Sequence, residues 1–214
     1  MRSEGPLVQP RTALRLARLP RHAPGMRIGL LGGSFNPPHE GHVLVTQTAL
    51  RRLGLDRVWW LVTPGNPLKG HGGLPPVAQR IAAARALVRD PRVDVTGLEE
   101  QIGTRFTHDT LAYLVTRCPG VRFVWLMGAD NLASFHRWQR WRDIAALMPI
   151  AVIDRPGSTL RACRSPAASA FAAARVDEMD GPVLPGLRPP AWIFLHGRRS
   201  AQSSTALRAG REGE

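Results

Sequence analysis

Short apolar runs alternate along most of the chain with segments of helical periodicity, and this alternation limits the possible folds more than any other feature. The apolar runs predict buried strands over 26–31, 58–62, 92–95, 121–127, 150–153 and 192–195. The periodic segments predict helices over 41–53, 77–88, 106–117, 131–135, 138–147 and 204–209. Strands that alternate with helices favour right-handed crossovers. The sequence therefore predicts an α/β domain, a Rossmann-like parallel sheet with helices on both faces.

Cysteine content and hydropathy exclude several other classes of protein. The chain has 214 residues and two cysteines, Cys118 and Cys163, which are too few and too far apart for a disulfide scaffold or a zinc ribbon. No apolar run approaches the roughly 18 residues of a membrane span. These features predict a cytoplasmic, reduced protein without a membrane partner.

The first 25 residues differ from the rest of the chain. They contain five arginines, four prolines and one acidic residue, and they show no strand pattern. An Arg-rich, acid-poor leader is one interpretation, but the segment has no apolar stretch of the kind found in secretory signals. We expect 1–25 to be a disordered basic tail and 26–214 to be a single domain.

The charge balance is strongly basic. There are 29 basic residues against 16 acidic ones, a formal net charge of +13, and Lys69 is the only lysine. A genome that favours arginine codons explains this surplus, and so does an anionic partner such as a nucleotide. A nucleic-acid-binding module would interleave basic and aromatic residues on one surface. The arginines are instead scattered, and three of them, Arg80, Arg85 and Arg89, are expected to reach solvent from the helix over 77–88. We therefore expect no nucleic-acid partner.

The segment 32–42, GGSFNPPHEGH, lies where the first predicted strand gives way to the first predicted helix. Ligands of open α/β sheets bind at this carboxyl edge. Gly32 and Gly33 are expected to let the backbone approach a ligand closely. His39 and His42 are three residues apart, so they share a face beside a helix N-terminus, which attracts anions. Two imidazoles there suit a phosphate that gains charge in a transition state.

Two other interpretations of the histidine pair are weaker. The pair could bind zinc, but no third ligand with suitable spacing lies nearby in the sequence. The histidines could also be unrelated surface residues, although glycines, prolines and paired histidines rarely coincide at the end of a first strand. An anion site is the interpretation that accounts for all of these residues together.

Two motifs resemble those of the nucleotidyltransferase superfamily. The first is Gly33-Ser34-Phe35-Asn36-Pro37 followed by His39-x-Gly41-His42, in which Asn36 stands where an aspartate is common. The second is 203–208, SSTALR, which resembles an S-S-T-x-x-R element. Taken alone, the second motif favours a plain helix N-cap. Together with the first motif, it predicts a capped helix start whose N–H groups hold phosphate oxygens, with Arg208 adding a fixed charge one turn later.

Two further elements resemble the nicotinate-nucleotide adenylyltransferase family. They are 128–138, GADNLASFHRW, and 106–111, FTHDTL. The resemblance covers roughly Met26 to Arg208. It implies the nucleotidyltransferase type of α/β fold and a reaction in NAD biosynthesis: ATP and nicotinate mononucleotide give deamido-NAD and pyrophosphate. It also implies in-line attack on the α-phosphorus without a covalent intermediate, and Mg²⁺ that is carried by ATP.

The resemblance assigns roles to individual residues. The residues it implies to be catalytic are His39, His42, Lys69 and Arg208. Those it implies to bind ATP are Gly32, Gly33, Ser34, Phe35, His39, His42, Gly128, Asp130, Ser203, Ser204, Thr205 and Arg208. Those it implies to bind nicotinate mononucleotide are Asn36, Lys69, Phe106, Thr107 and Trp138. No residue is expected to bind a metal directly.

Several alternatives stay open from the sequence. Lys69 could be a solvated loop lysine, Asp130 could cap the following helix, and Trp138 and Trp141 could be core residues, which is the interpretation we favour for Trp141. The substrate could be phosphopantetheine or nicotinamide mononucleotide, as in other small adenylyltransferases. The chain could be a monomer or a homo-oligomer.

Overall fold

The computed structural model describes residues 17–65, 74–154 and 159–197. These residues form one seven-stranded sheet in the order β3-β2-β1-β4-β5-β7-β6, and every strand pair is parallel. The strands are β1 (Arg27–Gly33), β2 (Arg57–Val62), β3 (Val93–Thr96), β4 (Arg122–Gly128), β5 (Ile150–Ile153), β6 (Arg175–Val176) and β7 (Trp192–Leu195). The predicted α/β parallel sheet is confirmed, and each predicted strand lies within two residues of its observed bounds.

Helices connect these strands. They are α1 (Glu40–Arg52), α2 (Val77–Leu87), α3 (Leu98–Ile102), α4 (Thr107–Arg117), α5 (Ala129–Ser134), α6 (Trp141–Leu147), α7 (Thr159–Cys163) and α8 (Pro166–Ala170). Short 3₁₀ turns occupy Phe135–Arg137, Ala172–Ala174 and Glu178–Gly186. None of the helices in the described ranges is long and apolar enough to cross a bilayer. The predicted helix over 204–209 lies outside the described residues.

The sheet is covered on both faces because its central strands are apolar at successive positions. In β4, Phe123 and Trp125 belong to one buried cluster, whereas Val124 and Leu126 belong to the other. The first cluster also contains residues of α3 to α6, and the second contains residues of α1 and α2. This double burial is what makes the strands of a parallel sheet read as continuous apolar runs.

The strand order reverses direction beside β1. From β1 the chain builds outward through β2 to β3, and it then crosses back to β4 on the other side. Such a reversal opens a crevice at the carboxyl ends of the two central strands, where ligands of this fold class bind. The segments after β1 and after β4, which carry the first motif and the 128–138 element, both begin at this crevice.

Residues 17–25 correct the prediction of a disordered tail. Ala17 and Leu19 pack against the core, and the ring of His22 meets Trp59 edge-on with centroids 5.9 Å apart. The N–H of Gly25 donates to the Gly120 carbonyl at 2.8 Å. This segment has no regular secondary structure, so periodicity could not reveal its packing. The rest of the predicted tail, 1–16, lies outside the described residues.

Removal of residues 1–25 is expected to lower the free energy of unfolding by about 1–3 kcal/mol, because the partly buried Leu19 and the His22 contact are lost. Urea denaturation of the shortened chain measures the difference. A chain that lacks only 1–16 is the matched control, since it keeps the described contacts of 17–25. Equal stability of the two shortened chains would show that these contacts contribute nothing.

Candidate active site

The end of β1 is shaped by aromatic rings rather than by open space. A Cβ atom on Gly32 would lie 2.5 Å from Cη2 of Trp125, and one on Gly33 would lie 3.3 Å from the Phe35 ring. The sequence predicts that these glycines leave room for a ligand. The structure corrects that reason for Gly32, because its missing side chain accommodates the Trp125 indole of the neighbouring strand.

Gly32→Ala is therefore expected to destabilise the fold by about 1–3 kcal/mol, since the added methyl group overpacks a rigid ring. Gly197→Ala is the matched control. Apart from the chain neighbours of Gly197, no described residue lies within 4 Å of the position of the added methyl group, and φ of Gly197 is not positive. Denaturation midpoints of the two variants measure the effect. A Gly32 variant as stable as the Gly197 variant would contradict it.

Phe35 fixes the turn that follows β1. Its backbone lies in the left-handed region, with φ of 47°, which costs a non-glycine residue roughly 1–3 kcal/mol. Packing compensates for this strain: the fully buried ring stacks on Trp60 at 4.9 Å and lies 4.6 Å from the ring of His42. The Trp60 indole N–H donates to Oγ1 of Thr46 in α1 at 2.8 Å. The turn is thus held against both β2 and α1.

The two histidines of the first motif begin helix α1. Nδ1 of His39 accepts from the N–H of Gly41 at 3.1 Å, and Nδ1 of His42 accepts from the N–H of His39 at 3.2 Å. The ring centroids lie 3.9 Å apart. An imidazole nitrogen that accepts carries no proton, so each neutral ring has its proton on Nε2. The predicted pairing of the rings at a helix N-terminus is confirmed.

The N-terminal turn of α4 carries the 106–111 element. Phe106 occupies the N-cap, and Phe106 and Thr107 are partly exposed. Thr110 lies behind them, where its hydroxyl donates to Oε1 of Glu99 at 3.3 Å and meets Oγ1 of Thr104 at 2.8 Å. A phenylalanine has no side-chain oxygen to cap the helix, so the first N–H groups of α4 receive no cap from that residue.

Glu99 was not among the predicted site residues. It is buried on α3, just beyond the carboxyl end of β3. Burial raises the pKa of its carboxyl group, and hydrogen bonds from the hydroxyls of Thr63 and Thr110 partly offset that rise. An acidic residue three positions after the end of a strand was the only available signal, and α3 is too short for periodicity to reveal.

The 128–138 element begins at the last residue of β4. Gly128 precedes α5, and Asp130 is exposed in the first turn of that helix. Trp138 is half-buried and packs edge-on against Trp125 at 6.3 Å. Because Trp125 also covers Gly32, the structure connects Trp138 to the first motif. Trp141 packs against the core, as expected.

Arg80 is buried, contrary to the prediction that it reaches solvent. Only 3% of it is exposed, whereas Arg85 and Arg89 are exposed as expected. Positions 77, 80 and 84 share one face of α2 and are all buried, so periodicity indicated burial and only the residue type argued against it. Burial lowers the pKa of the Arg80 guanidinium, an effect that the charge of Glu100 opposes.

Ser34 and Asn36 are half-buried in the segment that follows β1. Five other predicted residues fall outside the described ranges. They are Lys69, Ser203, Ser204, Thr205 and Arg208. The described chain ends shortly after β7, where the N–H of His196 donates to Oε1 of Glu178 at 2.9 Å and Nδ1 lies 2.8 Å from Oε2. The roles implied for the five residues stay predictions.

Sequence comparisons with known proteins indicate the family of this chain. Residues 30–210 match the model of the cytidylyltransferase-like family. The chain is 65% identical over 184 residues to a probable nicotinate-nucleotide adenylyltransferase of Methylorubrum extorquens (strain PA1), covering 86% of this chain and 99% of the relative. It is 58% identical over 188 residues to a protein of the same name from Rhizobium meliloti (strain 1021), covering 88% and 100%.

A solved structure shares the fold. The nicotinic acid mononucleotide adenylyltransferase of Plasmodium falciparum, in complex with NaAD, aligns with a TM-score of 0.65 at 15% identity, covering 86% of this chain and 83% of that one. At this identity the likeness supports the fold alone. The alignments with the two bacterial relatives cover nearly the whole length of each relative. The resemblance inferred from the motifs is confirmed: the chain belongs to the nicotinate-nucleotide adenylyltransferase family, within the cytidylyltransferase-like proteins.

Proposed function

We propose that this chain transfers the adenylyl group of ATP to nicotinate mononucleotide, giving deamido-NAD and pyrophosphate in NAD biosynthesis. The observation that carries the proposal is the pair of imidazoles, His39 and His42, at the start of α1 beside the crevice of the sheet. Membership of the family at 65% identity supplies the choice of substrates.

The reaction forms one P–O bond and breaks another. A phosphate oxygen of nicotinate mononucleotide attacks the α-phosphorus of ATP in line, and pyrophosphate leaves with the electrons of the broken bond. The attacking phosphate is already ionised at neutral pH, so no base is needed. The protein contributes positioning and stabilisation of charge, as in other phosphoryl transfers.

The imidazoles supply the stabilisation. With both Nδ1 atoms accepting from the backbone, each neutral ring carries its proton on Nε2, which is the donor that the proposal uses. Donation to the non-bridging oxygens of the α-phosphate strengthens as those oxygens gain charge in the transition state. The positive end of the α1 dipole acts in the same direction.

The other predicted residues surround this centre in the proposal. Gly32 to Phe35, Gly128 and Asp130 lie on the adenosine side, and Mg²⁺ arrives with the phosphates of ATP. Lys69, Ser203, Ser204, Thr205 and Arg208 bind phosphate oxygens. Asn36, Phe106, Thr107 and Trp138 hold the nicotinate mononucleotide, with its ring against Trp138 and its carboxylate at the first N–H groups of α4.

Pyrophosphate release tests the proposal. Purified protein is given MgATP with nicotinate mononucleotide, nicotinamide mononucleotide or phosphopantetheine in separate reactions. We expect turnover with nicotinate mononucleotide and formation of deamido-NAD. Turnover with phosphopantetheine and with neither mononucleotide would overturn the proposal. Steep salt-dependent binding of nucleic acid without any turnover would favour the nucleic-acid interpretation instead.

A further inference from the structure

The guanidinium group of Arg80 joins three separate segments of backbone. Nη1 donates to the carbonyls of Ser34 and Thr63 at 2.7 Å each, Nε donates to Pro75 at 2.9 Å, and Nη2 reaches Pro64 at 3.4 Å. Within the described ranges, every acceptor of this buried cation is a main-chain carbonyl. A planar fork of five donors can serve several carbonyls at once, which a lysine ammonium on its flexible stem cannot do in the same geometry.

Two of these bonds hold the carboxyl ends of neighbouring strands together. Ser34 is the first residue after β1, and Thr63 is the first after β2. The N–H of Thr63 donates to the Gly33 carbonyl at 3.0 Å, which continues the parallel pairing by one residue. Nη1 of Arg80 then bridges the carbonyls that lie just beyond this last rung. The guanidinium is therefore a crosslink at the base of the first motif.

The Ser34 carbonyl belongs to the peptide group that leads into Phe35. Fixing this peptide restricts φ of Phe35, which has the left-handed value of 47°. The Phe35 ring in turn stacks on Trp60 and lies 4.6 Å from the ring of His42. A continuous series of contacts thus runs from Arg80 through the Ser34–Phe35 peptide to His42.

We propose that Arg80 is a positioning residue for the transfer reaction: by holding the Ser34 carbonyl it seats Phe35 against His42 and orients the His42 imidazole toward the reacting phosphate. The inference rests on the proposed function for its catalytic readout. The described contacts of the Arg80 guanidinium are with main-chain carbonyls, so its proposed effect on the reaction is indirect. Misplacement of a catalytic group by about 1 Å lowers rates by roughly a hundredfold, so a small loss of orientation has a measurable effect.

Arg80→Lys is the main variant, because it keeps the charge and removes the fork. We expect kcat to fall by about ten- to a hundredfold, with the KM for ATP and for nicotinate mononucleotide changed less than about threefold. Arg85→Lys is the matched control on the same helix, and its kcat should stay within about twofold of the parent. Among the described residues, the Arg85 guanidinium donates only to the Val95 carbonyl, through Nη2. Rates are compared per folded molecule, well below each melting temperature.

Ring ¹⁵N NMR of histidine supplies a readout that a merely structural role would not move. In the parent, His42 should show the Nε2–H tautomer with a hydrogen-bonded Nδ1, and the spectrum of His42→Gln assigns its signals. In folded Arg80→Lys we expect the Nδ1 signal to shift and the tautomers to mix. Arg80→Lys with the parent's kcat and the parent's His42 signals would overturn the proposal.

Phe35→Leu tests the second half of the series independently of whether Arg80→Lys folds. It leaves the carbonyl bonds of Arg80 in place and removes the ring that contacts His42. We expect a loss of kcat similar to that of Arg80→Lys, and a double variant no slower than the slower single one, because the two act through one route. An unchanged kcat and unchanged His42 signals in Phe35→Leu would overturn the proposal. A parent without turnover would overturn the proposed function instead, and the NMR result would still decide on Arg80.

Discussion

Replacing His42 with alanine is expected to lower kcat by about 10²–10³-fold or more, while the KM for ATP changes little. The ring lies at the N-terminal turn of α1, and its Nδ1 is occupied by the N–H of His39, so its Nε2–H is the donor that the proposed reaction uses. The donated hydrogen bond is strongest when the α-phosphate carries most charge. Loss of this hydrogen bond therefore destabilises the transition state more than the bound substrates. Steady-state kinetics with ATP varied at saturating mononucleotide measures both constants.

The control is Gln47→Ala, which changes an exposed residue of the same helix and should leave kcat unaltered. Added zinc should neither restore His42→Ala nor stimulate the parent, and stoichiometric zinc in active protein would overturn the phosphate interpretation of the pair. A raised KM with an intact kcat would assign His42 to ground-state binding. His39→Ala is a less clean probe, because His39 also caps α1 and its loss costs roughly 1 kcal/mol of stability.

The second large effect concerns the choice of mononucleotide. We expect kcat/KM for nicotinate mononucleotide to exceed that for nicotinamide mononucleotide by at least about a hundredfold. In the proposed binding mode the carboxylate would gain charge-assisted hydrogen bonds from the first N–H groups of α4, worth roughly 1.5–3 kcal/mol each. The amide presents an NH₂ group to one of those donors and leaves it unpaired. Each ~1.4 kcal/mol of difference is tenfold in discrimination.

Thr107 allows this explanation to be tested at a single N–H. It is the first residue of α4 and follows an extended Phe106, with φ of −120° and ψ of 140°. Proline is tolerated at such a position, so Thr107→Pro removes the N–H and keeps the helix. We expect the preference to fall about tenfold in Thr107→Pro and to persist in the control Thr107→Ala. Comparable use of both mononucleotides by the parent would contradict the anion-pocket explanation and leave adenylyl transfer standing.

Much of the fold could be predicted because its determinants are local. Each central strand is buried on both faces, so its sequence is one continuous apolar run. In each long helix the apolar residues recur with helical periodicity. The elements that were missed are short: α3, α7 and α8 have five residues each, and β6 has two. A period cannot be recognised over so few residues, and their positions depend on tertiary packing.

The candidate site divides in the same way. His39 and His42 could be predicted together because one contiguous motif holds them on one helical turn. The structural requirement for glycine at position 32 could not be predicted, because the ring that occupies the space of a side chain there belongs to Trp125 on another strand. Arg80 was missed because a charged residue is normally exposed, and only the structure shows the carbonyls that make its burial tolerable.

The order of the strands also bears on how copies of this protein meet. In the described sheet the two outermost strands are the short β3 and β6, and each carries a charge, Asp94 in β3 and Arg175 in β6. Asp94 is paired with Arg57 at 2.7 Å on the adjacent strand. Short, charged margins offer a neighbouring chain little backbone to pair with, and natural sheets use them to resist aggregation. Association of two copies is accordingly expected through helical surfaces, with the sheet itself left uninterrupted within each molecule.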